Sequence, residues 1–256
     1  GDVSCWGRGD YGRLGNGGTS HQNTPTLTSS LGTGRTAVAL SSGTFHTCAI
    51  LDDGSVSCWG EGSDGQLGNG GISDKTTPTL TSSLGTGRTA VALSSGHIHT
   101  CAILDDGSVS CWGDGIYGQL GNGGTSDKTT PTLTSSLGTG RTAALSERDF
   151  DNDGTFNIFQ VHKNLDYREQ SISSGIYHTC AILDNGDVSC WGGGGYGQLG
   201  NGGTSDKTTP TLTSSLGTGR TAVALSSGDR HTCAILDNGS VSCWGKGSYG
   251  RLGNGG

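Results

Sequence analysis

The chain has 256 residues and a formal net charge of −7; 50 residues are Gly, and Ser and Thr contribute 32 each. Leu, Ile, Val and Phe together number 45, about 18%, too little apolar mass for one large core, yet the small charge imbalance, 5 Trp and 9 Cys exclude a disordered tail. No apolar run reaches the roughly 18 residues of a membrane-spanning helix, and no Lys/Arg stripe exists to neutralise nucleic-acid phosphates.

The predicted elements recur. The string S-C-W-G occurs five times, with its cysteine at Cys5, Cys58, Cys111, Cys190 and Cys243; the spacings are 53, 53, 79 and 53, and 79 is 53 plus an insertion of 26. H-T-C-A-I-L-D occurs four times, starting at His46, His99, His178 and His231. A fixed period of this size marks a repeat architecture. Gly1–Gly18 and Gly239–Gly256 are the same part of the unit, and no Met occurs, so the expectation is a processed chain or a piece of a longer one.

In chain order, the first unit predicts a strand near Thr24–Leu31, where Pro25 suits a sheet edge, and another at Thr36–Leu40. His46–Leu51 and Ser55–Trp59 then flank Asp52-Asp53-Gly54, a three-residue hairpin loop with Gly at the left-handed position. This loop sets Cys48 opposite Cys58, Ile50 opposite Val56 and Thr47 opposite Trp59. Four short antiparallel strands per repeat read as propeller blades. The Gly-x-Gly-x-x-Gly strings after each S-C-W lead into no helix, so they are blade turns and not phosphate loops. The repeated histidines are expected to bond neighbouring backbone. The five tryptophans, facing small residues such as Ala49 and Ser57, are expected in the core between blades.

The segment His46–Gly70, H-T-C-A-I-L-D-D-G-S-V-S-C-W-G-E-G-S-D-G-Q-L-G-N-G, resembles the repeat of the regulator-of-chromosome-condensation (RCC1) propellers in its H-T, G-x-V, W-G and G-Q-L-G elements. The resemblance covers every unit and leaves out only the insertion. It implies an all-β propeller of four-stranded antiparallel blades, with four full repeats plus a partial one belonging to a seven-bladed ring. Two features depart from the family pattern: the paired cysteines, and Gly62 and Gly115 where Asn is usual. Because this fold hosts exchange factors, enzyme inhibitors and adhesion modules alike, function has to be read from the site.

The pairs Cys48/Cys58, Cys101/Cys111, Cys180/Cys190 and Cys233/Cys243 share one spacing and one cross-strand geometry, which suits disulfides. The alternatives are reduced core cysteines, or a metal site, for which each hairpin supplies only two of four ligands. Disulfides imply an oxidising, secreted or cell-surface location and conflict with a nuclear exchange role. Cys5 is left unpaired.

The insertion, residues 144–169, separates propeller repeats 1–143 and 170–256. Its Asp149-Phe-Asp151-Asn-Asp153-Gly154-Thr155-Phe-Asn157-Ile-Phe-Gln160 resembles an EF-hand or dockerin-type calcium loop. The implied ligands are Asp149, Asp151, Asp153, the Thr155 carbonyl, Asn157 and Gln160. Gln160 replaces the usual bidentate Glu, which weakens affinity. The alternative is an Asp/Asn-rich turn that holds no ion.

Two short stretches vary between otherwise near-identical units. One precedes H-T-C (Phe45, Ile98, Tyr177, Arg230); the other follows C-W-G (Tyr11, Asp64, Tyr117, Tyr196, Tyr249). Hairpin geometry puts both at the same end of each blade, opposite the Asp-Asp-Gly turns. A rim of Tyr, Arg, Phe and Ile on a uniform frame reads as a recognition surface for a protein partner; the bland alternative is drift at loop tips. A glycan-binding lectin and a non-catalytic domain of a larger secreted enzyme are the competing functions. No catalytic constellation is present in the sequence.

Overall fold

The computed structural model describes residues 1–144 and 171–255; the calcium-loop resemblance, Asp149–Gln160, lies outside them. The strands are β1 (Ser4–Gly7), β2 (Gln22–Leu27), β3 (Ala37–Ser42), β4 (His46–Leu51), β5 (Val56–Gly60), β6 (Lys75–Leu80), β7 (Ala90–Ser95), β8 (His99–Leu104), β9 (Val109–Gly113), β10 (Lys128–Leu133), β11 (Ile172–Ser174), β12 (His178–Ile182), β13 (Val188–Gly192), β14 (Lys207–Leu212), β15 (Ala222–Ser227), β16 (His231–Leu236) and β17 (Val241–Gly245). They pair as antiparallel meanders: a two-stranded N-terminal sheet β1-β2, blade I (β3–β6), blade II (β7–β10), blade III (β11–β14) and a three-stranded blade IV (β15–β17). The first strands β3, β7, β11 and β15 pack against one another, so the sheets form an arc of a propeller with these strands innermost.

The hairpin register matches the sequence expectation: His46↔Gly60, Thr47↔Trp59, Cys48↔Cys58 and Ile50↔Val56. The edge strands differ slightly. The inner strand runs to Ser42, because Ser41 and Ser42 still pair with Cys48 and Thr47. The outer strand stops at Leu27, because the Ser29 amide turns away to the Gly15 carbonyl at 2.7 Å.

Alternation along C-A-I-L distributes side chains to opposite blade faces. Cys48, Ile50, Val56, Cys58 and Leu67 of blade I pack on Ala90, Ala102, Leu104 and Trp112 of blade II, and the next interface repeats the pattern with Cys101, Ile103, Val109, Cys111 and Leu120 against Ala181, Leu183 and Trp191. The core is therefore a series of thin layers between blades, which is how a chain this poor in large apolar residues stays folded. The three layers between blades I and IV contain one disulfide each, Cys48–Cys58, Cys101–Cys111 and Cys180–Cys190, and Cys233–Cys243 lies on blade IV, all at Cα–Cα 4.1 Å; the layer between the N-terminal sheet and blade I, around Val3, Leu51 and Trp59, has none among the described residues. Cys5 is free, and partial burial pushes its thiol pKa up. The last glycine of the first four G-Q-L-G-type turns, Gly15, Gly68, Gly121 and Gly200, lies flat on the next blade's indole: a Cβ on Gly68, whose φ is +66°, would sit 2.7 Å from Trp112 Nε1. Trp59, Trp112 and Trp191 are fully buried, as expected, and Trp244 is partly so. Trp6 is not; it is 61% exposed, because among the described residues no turn glycine covers its indole as Gly15 covers Trp59.

The histidines do not bond neighbouring backbone as the sequence suggested. Three of the four reach across the interface: His46 Nε2 to Thr100 Oγ1 at 2.8 Å, His99 to Thr179 at 2.9 Å and His178 to Thr232 at 2.9 Å. Each threonine hydroxyl donates onward to a backbone carbonyl, Gln66 at 3.1 Å, Gln119 at 3.3 Å and Gln198 at 3.0 Å. The same carbonyls accept the indole N–H of Trp112, Trp191 and Trp244, all at 2.9 Å. With its proton committed to the carbonyl, each hydroxyl can only accept from histidine. The imidazole proton is therefore on Nε2, which agrees with the buried, partnerless Nδ1 of His46, His99 and His178. Burial drives these rings down to a pKa of about 3 for His46 and His99 and about 4 for His178. Nearer the axis, Ser95, Ser174 and Ser227 amides donate to Ser41, Ser94 and Ser173 hydroxyls at 2.8 Å, linking the inner strands.

The insertion enters at a β-bulge. In blades I, II and IV the inner strand skips one residue, between Ala37 and Ala39, Ala90 and Ala92, and Ala222 and Ala224. In blade III Ala143 bridges Leu183; Ile182 then accepts from the Ala144 amide at 2.7 Å and donates to the Ser171 carbonyl at 2.8 Å. Both ends of the insertion thus converge on one residue, at a position already unpaired in the other blades, so the added loop costs little ladder pairing. The Ala143 amide also meets the Gly107 carbonyl at 2.8 Å, which fixes the entry beside an Asp-Asp-Gly turn.

Candidate interaction rim

The nine variable residues singled out in the sequence all lie at the end of the blades where β4 starts and β5 finishes, as His46↔Gly60 and its equivalents require. Tertiary structure adds which of them meet. The stretch after C-W-G of one sheet packs against the stretch before H-T-C of the next blade. Tyr11 meets Phe45 edge-on at 5.8 Å, and Tyr117 meets Tyr177 at 4.7 Å. Arg230 lies over the Tyr196 ring at 4.8 Å and donates from Nη1 to its hydroxyl at 2.9 Å. Phe45 also touches His97, at 5.1 Å. Asp64 and Ile98 are half-buried, and Tyr249 is 96% exposed on the last loop.

Two loop forms carry these side chains. Where the turn reads G-Q-L-G, the glutamine folds back: Gln66, Gln119 and Gln198 Oε1 accept the amides of Asp64, Tyr117 and Tyr196 at 2.9, 2.9 and 2.8 Å. The glutamine amide group then reaches Glu61 at 3.3 Å or Asp114 at 2.8 Å. Where Arg replaces Gln, no acceptor is available and the backbone turns over. Tyr11 and Tyr249 take φ of 62° and 65°, a conformation uncommon for a side-chain-bearing residue. Arg13 and Arg251 then bond the Asp10 and Ser248 carbonyls at 3.0 and 2.8 Å, and each guanidinium sits near a tyrosine ring, at 5.6 Å from Tyr11 and 5.7 Å from Tyr249. Arg13 also lies 5.0 Å from the Phe45 ring. Sequence reading passed over Arg13; the Gln-to-Arg change within an otherwise constant string was the available signal.

Charge differs between the two ends of the blades. At the turn end, arginines pair with the Asp-Asp-Gly carboxylates: Arg35 with Asp52 and Asp53, Arg88 with Asp105 and Asp106, Arg141 with Asp184, and Arg220 with Asp237. At the rim, among the described residues, only Arg8 and Asp10 form an ion pair. Burial, reinforced by Asp64 and Asp74, pushes the Glu61 carboxyl pKa up. Burial also raises Asp114, with Asp127 and Asp64 adding to it. Between the blades the rim surrounds a shallow depression of about 250 Å³, where Gly43, Gly96, Gly175 and Gly228 converge with His97 and Asp229. Among the described residues that line this depression, His97 and Asp229 are the titratable side chains.

Comparison with known proteins places this frame. The family model described as the regulator of chromosome condensation (RCC1) repeat matches residues 1–50, 53–103, 106–144 and 185–235, and a second RCC1 repeat model matches 37–66, 90–119, 170–198 and 222–251. The chain belongs to the RCC1 repeat family. It is 34% identical over 256 residues to the E3 ubiquitin-protein ligase HERC2 of Homo sapiens, covering all of this chain and 5% of that protein. To the ultraviolet-B receptor UVR8 of Arabidopsis thaliana it is 32% identical over 257 residues, covering all of this chain and 52% of the receptor. The chain thus spans from a small fraction to about half of these relatives. Among solved structures, human WBSCR16 superposes with a TM-score of 0.71 at 20% identity, over 95% of this chain and 56% of that one. Yeast RCC1 (Prp20), solved with Kap60 bound, gives 0.53 at 20% identity over 96% and 64%; these two likenesses bear on fold alone. The RCC1 repeats therefore account for the blade frame.

Proposed function

We propose that this RCC1-repeat arc is a protein-binding module that acts in an oxidising, extracellular setting and engages its partner through the rim. The observation that carries the reading is the pairing of variable residues across blade boundaries, Tyr11 with Phe45, Tyr117 with Tyr177 and Tyr196 with Arg230, on a frame otherwise repeated almost letter for letter. Aromatic and arginine side chains held in place by neighbours lose little entropy on binding, which is why they dominate interface energetics. Yeast RCC1 (Prp20), which shares this fold, has been solved with Kap60 bound. Four disulfides, three of them fully buried, support the compartment.

The test compares capture of extracellular proteins by the wild-type chain, by Tyr117→Ala/Tyr177→Ala, and by a turn-end control, Arg88→Ala/Arg220→Ala. A protein retained by the wild type and the control but lost by the rim variant supports the reading. A protein lost only by the turn-end variant refutes it. Rim-dependent binding to a glycan array with no protein captured would replace it by the lectin reading.

A further inference from the structure

The C-terminal corner of the rim differs from every other boundary in the arc. Tyr196, at the end of blade III, carries two cations on one ring: the Arg230 guanidinium at 4.8 Å and Lys246 Nζ at 5.0 Å from the centroid. The two charges are therefore within about 10 Å of each other. The backbone holds them side by side, since the Lys246 amide donates to the Arg230 carbonyl at 2.8 Å. The Tyr196 hydroxyl accepts from Arg230 Nη1 at 2.9 Å and so fixes the guanidinium plane.

Neither cation has a carboxylate partner among the described residues, although the chain carries a net charge of −7 and its turn-end arginines are all ion-paired. Asp229, adjacent in sequence to Arg230, forms no ion pair with it. At the equivalent positions the other boundaries have Phe45, Ile98 and Tyr177 in place of Arg230, and Arg8, Glu61, Asp114 and Gly193 in place of Lys246. Arg8 is neutralised by Asp10. Two unpaired like charges on one ring repel each other, and a single anion between them removes that repulsion. A guanidinium held by a hydroxyl at one edge still has its remaining N–H groups free for a carboxylate.

We propose that Arg230, Lys246 and Tyr196 form an anion clamp that takes a carboxylate of an acidic peptide segment on the protein partner; this rests on the binding-module reading above. The rim carboxylates Glu61, Asp64 and Asp114 then disfavour the same segment at the first blade boundaries.

The experiment selects a displayed random peptide library against the full 256-residue chain. It then measures the selected peptides, as synthetic fluorescent probes, against Arg230→Ala/Lys246→Ala, Arg230→Lys, Tyr117→Ala/Tyr177→Ala and the turn-end Arg88→Ala/Arg220→Ala. The expected result is enrichment of Asp and Glu, at least tenfold weaker binding to Arg230→Ala/Lys246→Ala, partial retention by Arg230→Lys, and no change at the turn end. Binding should also weaken steeply with salt. Peptides without acidic bias that need Tyr117 and Tyr177 but not Arg230 or Lys246 would overturn the clamp and leave the rim reading intact. Peptides indifferent to every rim variant would overturn both. Capture of a sulfated polysaccharide through Arg230 and Lys246, with no acidic peptide selected, would overturn the assignment to protein.

Discussion

Thr100→Val is the sharpest test of how the blades are held together. The substitution keeps the side-chain shape and removes one buried hydroxyl that accepts from His46 at 2.8 Å and donates to Gln66 at 3.1 Å. The Gln66 carbonyl keeps the Trp112 indole N–H at 2.9 Å, so its loss is partial. His46 fares worse: its Nδ1 already lacks a partner, and the variant leaves Nε2–H buried without one. An orphaned buried donor costs about 1–3 kcal/mol and a lost neutral hydrogen bond about 1 kcal/mol, so the total is roughly 2–4 kcal/mol. Thr47→Val is the internal control. Thr47 makes only the onward bond, to the Arg13 carbonyl at 3.1 Å, because the N-terminal sheet contributes no histidine; its loss is about 1 kcal/mol. For a chain of this size each kcal/mol moves Tm by about 2–4 °C. Thermal unfolding at neutral pH should therefore drop by roughly 4–16 °C for Thr100→Val and about 2–4 °C for Thr47→Val. Thr179→Val should behave as Thr100→Val does, because it makes the same bonds to His99 and Gln119 across the insertion. Equal shifts for Thr47→Val and Thr100→Val would refute the relay as a stabilising element.

Three further outcomes are expected. His46, His99 and His178 are neutral in the fold, with pKa of about 3, about 3 and about 4, against an unfolded value near 6.5. Below pH ~6.5 the unfolded chain takes up protons that the native chain does not, so stability falls as pH drops towards 4, by ~1 kcal/mol per pH unit for each ring; urea midpoints between pH 7 and 4.5 should show this slope, and His99→Gln should reduce it by one proton. Thiol counting under denaturing, non-reducing conditions should find one free thiol, Cys5, and reductant should destabilise each 11-residue hairpin loop by about 2–3 kcal/mol; nine thiols would also remove the basis for an extracellular setting. Calcium should raise Tm in the wild type and not in Asp149→Ala/Asp153→Ala, with rim binding unchanged in both, because the insertion is anchored at Ile182 and beside Gly107 at the turn end; calcium-dependent peptide binding at Tyr117 or Tyr177 would contradict that separation of faces.

The blade and its staple were legible in the sequence, because both are local. A hairpin closed by Asp52-Asp53-Gly54 has its register set within a few residues, and Cys48 faces Cys58 whatever lies elsewhere in the chain. The end of the blade that holds the variable residues followed from the same register. Identical letters, however, acquired different fates once neighbours were present. Trp6 and Trp112 sit in the same S-C-W-G string, yet one is exposed and the other buried. Thr47 and Thr100 begin the same T-C-A-I-L string, yet only Thr100 receives a histidine. His99 finds its partner 80 positions away, at Thr179, and Tyr196 collects Arg230 and Lys246 from the following blade. In an arc of thin blades nearly all burial and every polar relay lie between units, so a residue's environment depends on which blade stacks beside it, and periodicity within one unit carries no record of that neighbour.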